Sequence, residues 1–220
     1  MPLVNELIDK FKNGTVLMPR QQNLLHYGLH VLAAARCHAV WPAWIELLRE
    51  DEDDLDELFG DHLFTVITGI TLSLVGEDVE AVLSLIADGD VSPGIRWSLF
   101  QVLASLTWQG RVPMERTRTL LRRFVGEPLA ADDDAAWEGW QDCIVLLGLT
   151  DMEDDLKAAW SKPALSLHNL ADRADAMETM PAKQISTKCG TFPAGRWRAG
   201  RAAGPSKTQA KFPRLPSGGA

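Results

Sequence analysis

His26 and His30 stand four residues apart, the spacing at which one helix face offers two imidazoles to a single metal ion. Tyr27 follows His26 where a zinc-peptidase helix carries its acid, so that hydrolytic pattern is absent. Cys37, His38 and His62 can reach the pair only through tertiary folding, and polar packing between helices is the expected role of both imidazoles. Cys37, Cys143 and Cys189 are odd in number and include no Cys-x-x-Cys pair, which excludes a disulfide framework and a four-cysteine zinc site. No serine or cysteine lies in a Gly-x-Ser-x-Gly turn, and Cys37 beside His38 does not place the two side chains face to face on a helix. Gly-rich phosphate loops and the spaced acids of a calcium loop are also missing. The sequence therefore predicts no catalytic residue, no cofactor and no resident metal. A metal-dependent enzyme centred on His26 and His30 is one alternative.

Charge supplies a second kind of chemistry. Acidic residues cluster at Glu50 to Asp54, at Asp88 with Asp90, and at Glu127 with Asp132 to Asp134. If each group lies in a connection between repeated helix pairs, they form a negative rim, with Asp51, Asp53, Asp54, Asp132, Asp133 and Asp134 as candidates for docking a basic partner. Opposite charge sits at the C-terminus. Residues 182–220 contain eight Lys and Arg and no acid, so the overall net charge of −8 divides into −16 for residues 1–181 and +8 for the rest. Dense Gly and Pro without apolar periodicity predict a disordered arm, in which Arg196, Arg198 and Arg201 are candidates for an anionic partner. The same composition is also what an out-of-frame reading of a GC-rich gene produces.

The elements that must position these groups are helices. Apolar residues recur at three- and four-residue spacing over about 20–36, 39–50, 60–75, 77–87, 93–109, 113–125, 134–147 and 151–160, with short helices at 3–12 and 52–59. Gly76, Gly110 and Gly148 follow apolar helices as stop signals, while Ser92-Pro93 and the capping-box spacing of Thr150 to Glu153 announce starts. Second helices begin near 39, 77, 113 and 151, a period close to 38 residues. Such pairing predicts an all-α, HEAT- or armadillo-like solenoid of about four helix pairs over residues 1–181, against the alternative of one irregular bundle. The paired tryptophans Trp41/Trp44 and Trp137/Trp140 share helix faces and are expected in the core.

Several segments, His26-Tyr27-Gly28-Leu29-His30-Val31-Leu32-Ala33, Trp41-Pro42-Ala43-Trp44-Ile45-Glu46, Leu58-Phe59-Gly60-Asp61 and Cys143-Ile144-Val145-Leu146-Leu147-Gly148, resemble the bacterial family called domain of unknown function 1186 over roughly residues 3–178. The resemblance implies a helical, HEAT-like fold without an established activity. Some members end in a SEC-C zinc motif, of which this chain keeps only Cys189-Gly190, so that zinc function is not carried over. An acid at Glu6 instead of a basic export leader, and the cysteine usage, fit the cytoplasm. The uncharged run Leu63 to Gly76, like every other in the chain, falls short of the roughly 20 apolar residues of a spanning helix, so no membrane partner is expected. The functional expectation is a non-enzymatic protein interaction module. Its alternative is a nucleic-acid or ribosome-associated protein that binds through the basic arm.

Overall fold

The computed structural model describes residues 2–159, and the predicted arm at 182–220 lies outside them. The described residues are helical, with no strand among them. The helices are α1 (Pro2–Lys12), α2 (Pro19–Ala34), α3 (Trp41–Leu47), α4 (Glu52–Phe59), α5 (Leu63–Leu74), α6 (Val79–Ala87), α7 (Pro93–Trp108), α8 (Met114–Gly126), α9 (Ala136–Leu147) and α10 (Glu153–Ala159). Every helix expected from periodicity is present, with ends that move by up to three residues; α3, α5 and α10 start later than expected because a short 3₁₀ turn opens each.

Packing follows chain order. α5 lies between α2 and α7, α7 between α5 and α9, while α6 and α8 pack on α7 and α8 also meets α10. The central α7 is buried on nearly every side, from Gly94 through Thr107, and α9 is almost as enclosed. This explains why their sequences lack a polar stripe: a helix without a solvent face has no use for one.

Boundary signals are realised unequally. Gly76, Gly110 and Gly148 all take positive φ, and at Gly148 (φ +62°) the left-handed residue closes α9 with its N–H on the carbonyls of Ile144 and Val145. Ser92 is the residue before α7, but its hydroxyl makes no capping bond. The cap is tertiary: the Glu52 carboxylate, 42 residues upstream on α4, accepts the Gly94 N–H at 3.0 Å. The capping box expected at Thr150 does not form, because Thr150–Met152 coils into a 3₁₀ turn first.

Candidate functional site

The first acidic group includes Asp51, whose carboxylate accepts the Asp53 N–H at 2.9 Å and thereby starts α4. Asp53 and Asp54 follow in the first helical turn, exposed, where the helix dipole favours negative charge. Between Glu50 and Ile95 the chain carries 13 carboxylates and no Lys or Arg. Part of this charge is bound locally. Asp78 accepts the Trp41 indole N–H at 2.9 Å, Asp88 is held by Arg49 at 2.5 Å, and Glu80 pairs with Arg116. Arg49 and the Asp90 N–H hold the Asp88 carboxyl below its ordinary range. Glu52 moves the other way: burial raises its pKa, the Gly94 N–H opposes, and Asp53, Asp51 and Asp56 add repulsion.

The second acidic group splits. Asp132 and Asp133 are exposed as expected. Asp134 is not a rim residue: its side chain is 11% exposed, with Oδ2 3.1 Å from Arg96 Nη1 and Oδ1 accepting the Ala136 N–H at 2.7 Å. An acid that neutralises a buried guanidinium and accepts an N–H at the start of α9 is turned toward the interior. Glu127 is likewise engaged by Arg123, its neighbour across one helical turn, at 2.9 Å and 3.0 Å. Arg196, Arg198 and Arg201 fall outside the described residues.

His26 and His30 come together on α2, with ring centroids 5.0 Å apart. His26 is half-buried, 5.7 Å from the Phe59 ring, and burial followed by the proximity of His30 lowers its pKa against an opposing hydrogen bond with the Leu58 backbone. Among the described residues no third His, Cys, Asp or Glu joins them in a group able to hold a metal. His38 is used elsewhere, its Nδ1 2.9 Å from the Leu74 carbonyl. A lowered pKa means that folding favours neutral His26. Its contribution is complete above the ordinary imidazole value of about 6.5 and is lost as pH falls through the lower folded value. His26→Gln should therefore flatten the change in melting temperature between pH 7 and pH 5.5, and an unchanged profile would refute that linkage.

No protein-family model, curated protein or solved structure matches the chain.

The most constrained chemistry in the unit was invisible to spacing arguments. Arg96, on α7, is fully buried and donates from Nε to the Ile86 carbonyl at 3.1 Å, from Nη2 to the Leu129 carbonyl at 2.6 Å and from Nη1 to Asp134. Its guanidinium lies 5.2 Å from the centroid of the Phe124 ring. Tryptophans form a second such set. Trp44 donates to Thr71, Trp97 to Asp142 and Trp140 to the Leu121 carbonyl, each indole bridging two helices. Trp41, Trp44, Trp137 and Trp140 are core residues as expected, and Trp108 is the exposed exception in this region. Cys143 is buried, and desolvation with Asp142 nearby pushes its thiol far above the ordinary range, leaving it without nucleophilic character. A shallow cavity of about 420 Å³ between α6 and α8 is lined by Arg116 and Arg123 but also by Glu80 and Asp88, so its lining charges offset one another. No helix among the described residues is long and apolar enough to cross a membrane.

Proposed function

We propose that this chain is a cytoplasmic, non-enzymatic protein interaction module built on a HEAT-like repeat, and that the surface from α4 to α6 docks a basic partner segment. The repeat reading is supported by chain-order packing and by cross-links at one-repeat intervals. His38 to Leu74, Trp41 to Asp78, Arg49 to Asp88 and Arg96 to Asp134 are bonded pairs 36, 37, 39 and 38 residues apart. The resemblance to the domain of unknown function 1186 family points the same way. The observation that carries the docking assignment is the exposed group Asp53, Asp54, Asp56 and Glu57 on α4, within 46 residues that contain no cation. Carboxylates concentrated on one face raise the local concentration of a cationic segment and speed its arrival.

Fluorescence anisotropy with a labelled Arg-rich peptide tests this. Asp53→Asn/Asp54→Asn, which leaves the Asp51 cap intact, is expected to weaken binding about 3- to 10-fold at low salt. Equal binding by variant and wild type would remove α4 as the docking surface. The eight cations of 182–220 support a second reading, binding of an anionic polymer through the arm. Single-stranded RNA serves as its probe: deletion of 182–220 is expected to abolish a steeply salt-dependent affinity.

A further inference from the structure

Exposed apolar surface is unevenly distributed over the described residues. Eight large apolar side chains are exposed, and six of them, Leu3, Val16, Met18, Leu24, Tyr27 and Val31, belong to α1, α2 and the turn between them. α2 is apolar twice over. Leu25, Leu29 and Ala33 face the core, while Leu24, Tyr27, Val31 and Ala34 are exposed. With Arg20, also exposed, the outer set falls at i, i+4, i+7, i+11 and i+14, the alternation of four and three that makes a helix-pairing seam. Tyr27 and Val31 are 64% and 66% exposed, so no described residue covers the middle of the seam. α1 runs against one side of it, so closely that a Cβ added at Gly28 would stand 2.9 Å from Val4 Cγ2.

Charge states the chemistry of the occupant. Residues 2–159 hold 27 acidic against 12 basic side chains, yet no carboxylate occurs from Lys10 to Ile45. Lys10 and Lys12 in that stretch are already paired, with Glu6 and Glu46. Arg20 and Arg36 are exposed and form no ion pair among the described residues. Neither placement serves folding. Arg20 stands in the first turn of α2, where a cation opposes the helix dipole, and Arg36 takes φ 49° just past its end, where glycine is the usual residue. An apolar seam with an unpaired cation toward each end fits a helix of the opposite charge. We propose that the outer face of α2 docks an amphipathic helix of a partner protein, one with apolar residues at three- and four-residue spacing and carboxylates beside them. A second copy is the wrong partner, because its α2 brings the same two cations and no acid. An anionic membrane is disfavoured as well, since such surfaces are held by clusters of about 4 to 8 cations and this face offers two that are unpaired. The site goes beyond the docking role of α4, on a different face and for a partner of opposite charge.

Fluorescence anisotropy with the full chain tests it. The probe is a labelled peptide of about 21 residues, three heptads with Leu on the seam and Glu on both flanks, whose mutual repulsion prevents self-pairing. The expected result is saturable binding, at least about 10-fold tighter than that of the same peptide with Lys on its flanks. Tyr27→Ala is expected to weaken it at least about 30-fold, the loss typical of a central aromatic anchor. Arg20→Glu should weaken it about 3- to 10-fold and improve binding of the Lys-flanked peptide. Because Tyr27 is exposed, the far-ultraviolet circular dichroism and melting temperature of its variant should stay unchanged. Equal binding of the two peptides overturns the proposal. So does equal binding by wild type and Tyr27→Ala, the result that capture by the cations of 182–220 would give. Failure to bind the Glu-flanked peptide also overturns it, and two further measurements then identify the occupant. Tyr27-dependent self-association in sedimentation equilibrium would assign the face to a second copy, and Tyr27-dependent cosedimentation with phosphatidylglycerol vesicles would assign it to a membrane surface.

Discussion

Arg96→Met is expected to lower the unfolding free energy by about 3 to 5 kcal/mol, the cost of removing one partner from a buried ion pair. The guanidinium is fully buried, and burial pulls its pKa down from the ordinary value while Asp134 and Asp88 oppose that shift. Arginine nonetheless stays ionised, because its starting value is so high. It donates to the Ile86 carbonyl at the end of α6, to the Leu129 carbonyl and Asp134 in the connection to α9, and rests against Phe124 of α8. Methionine fills much of the volume but leaves a buried carboxylate and two carbonyls without these donors. Urea denaturation followed by tryptophan fluorescence reads the loss. Asp134→Asn and the double variant complete a cycle in which a coupling of at least about 1 kcal/mol is expected, since the groups touch directly. A loss below about 1 kcal/mol for Arg96→Met would show that water or neighbouring groups replace the guanidinium, and the buried hub would not exist.

Gly139→Ala should destabilise by about 1 to 3 kcal/mol, the range for overpacking a filled core. A Cβ built at Gly139 would stand 2.7 Å from Trp97 Cα, 2.8 Å from Trp97 Cδ1 and 3.0 Å from Phe100 Cδ2. The first of these is backbone, so no rotamer change relieves it and α7 must move away from α9. Trp97 resists displacement, because its indole N–H is bonded to Asp142 on α9 itself at 3.1 Å. Gly69→Ala supplies a contrast of opposite sign. Gly69 lies inside α5, and an added methyl there would meet nothing within 4 Å. Only helix propensity then acts, and stability should rise by about 0.5 to 1 kcal/mol. Thermal melts of the two variants therefore shift in opposite directions. A Gly139→Ala melt at or above wild type would mean that α7 and α9 are not in the close contact described.

Helices were legible because they are written locally. Three- and four-residue apolar spacing located each of them, and the glycines at 76, 110 and 148 marked stops that need only their own positive φ. Caps were less legible. Ser92 and Thr150 have the right chemistry in the right place, yet the α7 N-terminus takes its acceptor from Glu52, and α10 is preceded by a 3₁₀ turn. A cap is a competition among nearby oxygens, and sequence shows only the adjacent ones.

The candidate site divides along the same line. Asp51, Asp53 and Asp54 stay exposed at the start of α4, because a helix N-terminus and water are enough to accommodate them. Asp134 does not. It sits beside Asp132 and Asp133 in a run of identical residues, and only the approach of α7, which brings Arg96 to 3.1 Å, separates it from them. His26 and His30 were paired by helix geometry alone, but the absence of a third ligand among the described residues is a property of the packing around α2.

By itself the sequence determined the helical class, the order of the helices and the opposed charges of residues 1–181 and 182–220, since local spacing and composition do not depend on distant contacts. Only the tertiary structure decided which charges are buried, which glycine is a point of contact and which apolar face of α2 stays open. Those outcomes depend on residues tens of positions apart in sequence arriving within a few ångströms, and no local pattern records that meeting.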